Sequence, residues 1–288
     1  MRVLIHNRTD YIYDEPVSFS PHLFRLFPKA DSFLNVRSSR FETNATATVR
    51  HRRDLFDNPI THCFYPDPSD TLHTDVQMEV QLRERNAFDF LLESEALEVP
   101  FHYSARASHF LSPYLHAESI LLPFFTLPEK PAPTIATLVD MNDAIFQNLE
   151  YERRDEGEAR PPEETLRLGR ASCRDFNVLL AAALRSLNLA SRLASGFLCE
   201  FETAEKERTA EGALHAWTEV FLPGAGWVGL DPTNGAFCNH NHITTAVGLT
   251  PEDVAPVRGN YYGDRRVPSH MEATLKITQC DDQTIPKS

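Results

Sequence analysis

From Pro100 to Pro133 the chain carries further prolines at positions 113, 123, 128 and 131. Proline lacks a backbone N–H and fixes φ, so a stretch this dense cannot sustain a long helix or a central strand. It divides the chain into two parts that must find their regular structure separately. Aromatic residues stand between the prolines: Phe101, Tyr103, Phe110, Tyr114, Phe124 and Phe125. The expectation for 101–133 is an irregular connector with short helical turns, packed on a neighbour through those rings.

Residues 1–100 read as strands. Met1 to Tyr13 is followed by an Asp14-Glu15-Pro16 turn, and a second strand-like run spans Val17 to Phe27. Phe33 to Val49 is rich in Thr, Val and Phe. Asp57-Asn58-Pro59 signals a turn before Ile60 to Tyr65. From Thr71 to Leu82 the alternation is clear, with Leu72, Thr74, Val76, Met78, Val80 and Leu82 on one parity. Short strands separated by polar turns predict an N-terminal antiparallel β-sandwich domain over 1–100. The basic cluster Arg50-His51-Arg52-Arg53 reads as a solvated patch flanking a turn.

Helical periodicity begins after Pro133, with Ile135, Leu138, Val139, Asn142 and Phe146 in step. Glu150 to Pro162 is charged and loop-like, and Pro161 to Leu168 predicts a short helix. A stronger helix spans Phe176 to Leu187, with Phe176, Leu179, Leu180, Ala183, Leu184 and Leu187 forming its apolar stripe. Strands follow at Ser191 to Glu202, Leu214 to Leu222 and Gly226 to Leu230, the last two joined by a Pro223-Gly224-Ala225-Gly226 hairpin turn. A helix followed by antiparallel strands is an α+β pattern, and 134–288 reads as the domain that carries chemistry.

Several function classes recede on composition. The 288 residues carry a net charge of −13, which argues against nucleic acid as a partner, because phosphate binding needs an electropositive face. No run approaches the roughly 20 apolar residues of a membrane span, and Met1 to Arg8 does not read as a signal peptide. The five cysteines (63, 173, 199, 238 and 280) form no CxxC pair, a poor disulfide framework and a poor zinc signature. A cytoplasmic protein without metal or cofactor is expected. Asn239-His240-Asn241-His242 has the look of a metal pair but lacks a third and fourth ligand.

Cys173 opens the stronger helix, in Arg170-Ala171-Ser172-Cys173-Arg174-Asp175-Phe176. There the helix dipole favours a thiolate, and first-turn N–H groups can hold an oxyanion. Asp175 reads as a first-turn acid serving the dipole. His215 shares a strand face with Trp217 and Glu219, and the hairpin brings it beside Asp231. An Asp beside a His fixes its tautomer and stabilises the imidazolium. Taken singly, each has a bland reading as a packed cysteine, a core histidine and an Asp-Pro turn residue. Cys173 differs from the other cysteines because a base and an orienting carboxylate follow it.

Three stretches together resemble bacterial transglutaminase-like cysteine proteases. They are Ser172 to Phe176, His215-Ala216-Trp217-Thr218-Glu219-Val220, and Gly226-Trp227-Val228-Gly229-Leu230-Asp231-Pro232-Thr233-Asn234. The segments 242–248 and 253–259 are similar to that group's C-terminal extension, and the β-rich first part to its N-terminal domain. The resemblance implies a papain-like α+β core, a nucleophile-bearing helix packed on an antiparallel sheet, behind the β-sandwich. It implies Cys173 as nucleophile, His215 as general base and acid, and Asp231 as the orienting carboxylate. Ala171-Ser172 departs from the usual pair before the cysteine. No calcium loop is present, and Gln147 is a weak match for a side-chain oxyanion donor. The expected activity is acyl transfer on amide or peptide carbonyls through a thioester, with water as acceptor. Transfer to an amine, or a binding scaffold that retains the triad, are the alternatives.

Overall fold

The computed structural model describes residues 1–115, 120–126, 129–154, 157–199, 209–211, 213–263 and 267–280. Expected features at Pro128, Glu200 to Glu202, Gly212 and 281–288 lie outside these residues.

The first part holds β1 (Arg2–Phe19), β2 (His22–Phe24), β3 (Leu34–Thr43), β4 (Thr48–Arg53), β5 (Pro59–Phe64) and β6 (Ser69–Leu82). The alternation at 71–82 does what its two-residue period demands: the six residues of that parity are buried in β6. Asp14-Glu15-Pro16 does not turn the chain. Strand β1 runs through it, and its register against β6 shifts between Ile12 and Val17. Pro16 has no N–H for the ladder, so the strand bulges there, while Asp14 N donates to Pro268 O at 3.1 Å.

The later part holds α1 (Ala105–Leu115), α2 (Thr134–Asn148), α3 (Pro162–Leu168) and α4 (Cys173–Ser186). Strands β7 (Ser191–Leu198), β8 (Ala213–Leu222), β9 (Gly226–Asp231), β10 (His242–Gly248) and β11 (Ser269–Cys280) follow. Helix α1 corrects the expectation of a connector with only short helical turns. Its proline-free stretch from Ala105 to Ser112 is long enough for two turns, and Pro113 falls in the last. Phe101 and Tyr103 are buried as expected, but Phe110 is 69% exposed. On α2 the buried face runs through Leu138, Met141, Asn142 and Ile145, leaving Phe146 half exposed.

One sheet of the first part runs 209–211, β11, β1, β6, β3, with Tyr261–Tyr262 also on β1. The other runs Val257–Arg258, β2, β5, β4. The basic cluster lies in β4, at the edge of that second sheet, where exposed charge discourages pairing with another chain. Strand β11 pairs β1 from Arg2↔Cys280 to Tyr13↔Ser269. The last described strand of the later part therefore returns to the N-terminal sheet.

The core sheet runs Ala236–Phe237, β9, β8, β7, β10, and α4 packs on it through Phe176, Leu179, Leu180 and Leu184. The β8–β9 hairpin closes at Leu222↔Gly226, where Gly224 and Gly226 take φ of 88° and 78°. Side chains rarely tolerate those values, so the two glycines set the hairpin register.

The two parts share a core: Phe197, Cys199 and Ile243 pack with Val3, Ile5, Phe24, Val76 and Ile277. Asn58 seals the junction. Its amide donates to Val247 O at 2.8 Å and accepts from Val247 N at 2.9 Å, with the residue fully buried. Asn58→Ala leaves two buried backbone groups without partners. A loss of about 2–6 kcal/mol follows at roughly 1–3 kcal/mol for each such group. Urea unfolding should show a lower midpoint at an unchanged slope.

Candidate active site

Helix α4 begins at Cys173 because Ser172 leaves the helical conformation, with φ −84° and ψ 167°. Asp175 reaches back to the Ser172 N–H and hydroxyl, both at 2.9 Å. This carboxylate is fully buried and does more than complement the dipole. It also accepts from Arg160 N at 2.7 Å and Arg154 at 2.9 Å, tying the loop before α3 to the start of α4. Cys173, at the first helical position, is half-buried.

His215 enters from β8, opposite Gly196 of β7. A side chain at Gly196 would meet Ile243 O and the Trp217 ring, so only glycine fits between the strands there. The His215 Nε2–H donates to Asp231 Oδ2 at 2.8 Å, and Cys173 lies near enough to the ring to favour its charged form. With Nε2 on the carboxylate, Nδ1 is the nitrogen left for the thiol.

Asp231 ends β9 and is fully buried. Its Oδ1 accepts from Thr233 N at 3.0 Å, an Asx turn. Its Oδ2 accepts from His215, from Asn234 Nδ2 at 2.8 Å and from His242 Nε2 at 3.2 Å. Burial pushes this carboxyl up, but the hydrogen bonds from His215 and His242 outweigh it and hold the group well below the usual carboxylate range. Burial alone would lower His215. Its bond to Asp231, the nearby Cys173, and the negative charge they carry raise it instead to about 10.

The structure thus gathers Cys173, His215 and Asp231 in one site, with His215 hydrogen-bonded to Asp231. Asn234 and His242 join it, with roles that sequence reasoning did not assign. Asn234 had a local signal, since an amide three residues after an Asp-Pro step can fold back on the carboxylate. His242 arrives from a different strand and had none. Gln147 is exposed on α2. Instead Asn142, one turn earlier and buried, points its amide at Asp231 O and Ala236 O, at 3.4 and 3.3 Å. His240 lies against the Arg85 backbone rather than in a ligand set, and among the described residues no group of three His, Cys, Asp or Glu is placed to hold a metal ion. No helix among them is long and apolar enough to cross a membrane. Behind His242 and Trp217 lies a cavity of about 180 Å³ lined by Lys29, Arg85, Arg192 and Glu219.

Burial pushes Cys63 up to about 11, Cys199 to about 12, and Cys238 well above the ordinary thiol value.

A transglutaminase-like superfamily model matches residues 127–232, and a model of the bacterial transglutaminase-like N-terminal region matches 3–81. A solved structure from Cytophaga hutchinsonii, provisionally described as a cysteine protease, superposes with a TM-score of 0.71 at 15% identity. The match covers 99% of this chain and 93% of that one. An uncharacterized protein of Mycobacterium leprae is 34% identical over 110 residues, 38% of either chain. One of Mycobacterium bovis is 31% identical over 141 residues, 47% of this chain and 44% of the relative. The chain spans less than half the length of these curated relatives.

The shifts of His215 and Asp231 set a pH window for stability. Asp231 is depressed, so its contribution is complete above about 4, the unfolded value, and fades as pH falls. His215 is raised, so its contribution is complete below about 6.5 and is lost as pH rises through about 10. Asp231→Ala should therefore cost most between about pH 4 and 6.5, on the order of 3–5 kcal/mol for a broken buried pair. The difference from wild type should shrink toward pH 10 and below pH 4, as urea unfolding across pH would show.

Proposed function

The chain belongs to the bacterial transglutaminase-like proteins, and on that membership together with the site geometry we propose that it is a thiol-dependent amidase or peptidase. The observation that carries the reading is His215 hydrogen-bonded to a buried, ionised Asp231, with the half-buried Cys173 beside the ring at the start of α4.

In the first step Cys173 Sγ, as a thiolate paired with the His215 imidazolium, attacks a carboxamide or peptide carbonyl carbon. The carbonyl oxygen takes up negative charge, and N–H groups at the start of α4 face it. The C–N bond breaks as His215 gives its proton to the leaving amine, which leaves a thioester. His215, now neutral, takes a proton from water as the water attacks. The C–S bond breaks, which releases a carboxylic acid and restores the starting ion pair; the acid then gives its proton to solvent. Asp231 holds the His215 tautomer throughout and favours its charged form. Water is the acceptor of choice because it needs no binding site of its own, and the site as described has no feature that would select an amine.

Iodoacetamide at neutral pH should label Cys173 ahead of Cys63, Cys199 and Cys238, whose thiols burial keeps protonated. His215→Ala should slow that labelling about tenfold or more. Cys173→Ala should abolish release of amine from amide substrates. Asp231→Asn should lower kcat/KM by about 10²–10⁴-fold. The wild-type profile should fall as pH rises through about 10, where His215 loses the proton it must donate. Equal labelling of all the cysteines would overturn the reading. With a glutamine peptide and a primary amine, ammonia without an adduct marks hydrolysis, and an adduct marks transfer.

A further inference from the structure

Three donors meet on a single carboxylate oxygen at the buried end of the site. Asp231 Oδ2 accepts from His215 at 2.8 Å, from Asn234 at 2.8 Å and from His242 at 3.2 Å. A carboxylate oxygen offers about two lone-pair directions, so the three compete for its charge. His242 is not there by default. It opens β10, its side chain is only 7% exposed, and its ring stands edge-on to Trp217 with centroids 5.3 Å apart.

The other nitrogen of His242 is also engaged. The Asn239 backbone N–H donates to Nδ1 at 3.3 Å, which leaves Nε2 to meet Asp231.

We propose that His242 is a positioning residue that acts through Asp231: it fixes the carboxylate toward His215 and draws off part of its charge, so that His215 stays able to release its proton. The proposal rests on the function proposed above. The hydrogen bond of His242 to Asp231 is the step through which it works, and His242 touches neither substrate nor Cys173 in this role.

The charged and titratable neighbours come from several elements. His215 and Glu219 lie on β8, Asp231 on β9, Arg192 on β7, and Cys173 beyond His215. Lys29, Asp31, Arg85, Cys238 and His240 line the cavity that His242 shares. All but Cys173 are left unchanged in the test, and the Cys173→Ser change is common to every protein in which the titration is compared.

His242→Phe keeps the ring against Trp217 and removes the donor. Asp231 then concentrates its charge on His215. The ring of His215 should titrate about half a pH unit or more higher, since a nearby carboxylate favours its charged form. The alkaline limb of kcat should move up with it, and kcat should fall about tenfold with KM little changed. His242→Gln, whose amide N–H can replace the Nε2 donor, should restore both. If the Phe variant does not fold, His242→Asn, too short to reach Oδ2, takes its place. The titration is read by NMR of His215 in a Cys173→Ser background, which needs no activity. An unchanged or lowered His215 titration in the Phe variant, or no recovery with Gln, overturns the inference even if Cys173 is the nucleophile. Conversely, a shifted titration without selective labelling of Cys173 supports the coupling and removes the proposed activity instead.

Discussion

A charged carboxylate with no exposure is the most demanding group in this protein, and much of the surrounding architecture answers it. Moving an unpaired carboxylate out of water costs several kcal/mol even after relaxation, so Asp231 stays ionised only if donors replace its hydration. They come from four places: the Thr233 amide and the Asn234 side chain just after it, His215 on β8, and His242 on β10. The last two lie on opposite sides of β7 in the sheet. Their convergence needs the strand order β9, β8, β7, β10 and the register that pairs Gly196 with both His215 and Thr244. A bulky residue at Gly196 would push these strands apart, and the carboxylate would lose donors as a result.

The N-terminal sandwich takes part in this arrangement. It shares a hydrophobic core with β7 and β10 through Phe197 and Ile243, and Asn58 mimics a strand neighbour for Val247. Strand β10 is therefore held on its outer side by residues far away in sequence, which steadies His242 at its start. The long ladder between β1 and β11 brings the last described strand back to the first. The cavity behind His242 lies where the two parts meet, with charged residues from each. Asp175 does comparable work at the other end of the site, where the loop before α3 and the first turn of α4 meet on one buried carboxylate.

Much of this was legible in the chain. The alternation at 71–82 and the apolar stripe of α4 are periodicities, and periodicity survives whatever the neighbours are. The Asp231 and His215 pairing was legible because a tight hairpin with two glycines leaves little choice of register. Where reading failed, local rules met tertiary compensation. Pro16 reads as the end of a strand, but a partner at Pro268 carries β1 through it. Proline density from Pro100 to Pro133 hid α1, because its one internal proline, Pro113, comes only after a proline-free stretch long enough for two helical turns. Phe146 follows the helical period, yet the face that α2 buries is set by what it packs against.

The sequence by itself determined which groups could do chemistry: a thiol at a helix start, a histidine on a strand, a carboxylate across a hairpin. These depend on spacing within single elements or between adjacent ones. Only the tertiary structure decided that β11 closes the N-terminal sheet, that Asn58 serves Val247, and that His242 shares an oxygen with His215. Those contacts join residues with no fixed spacing along the chain. They form because buried polar groups must find partners wherever packing places them.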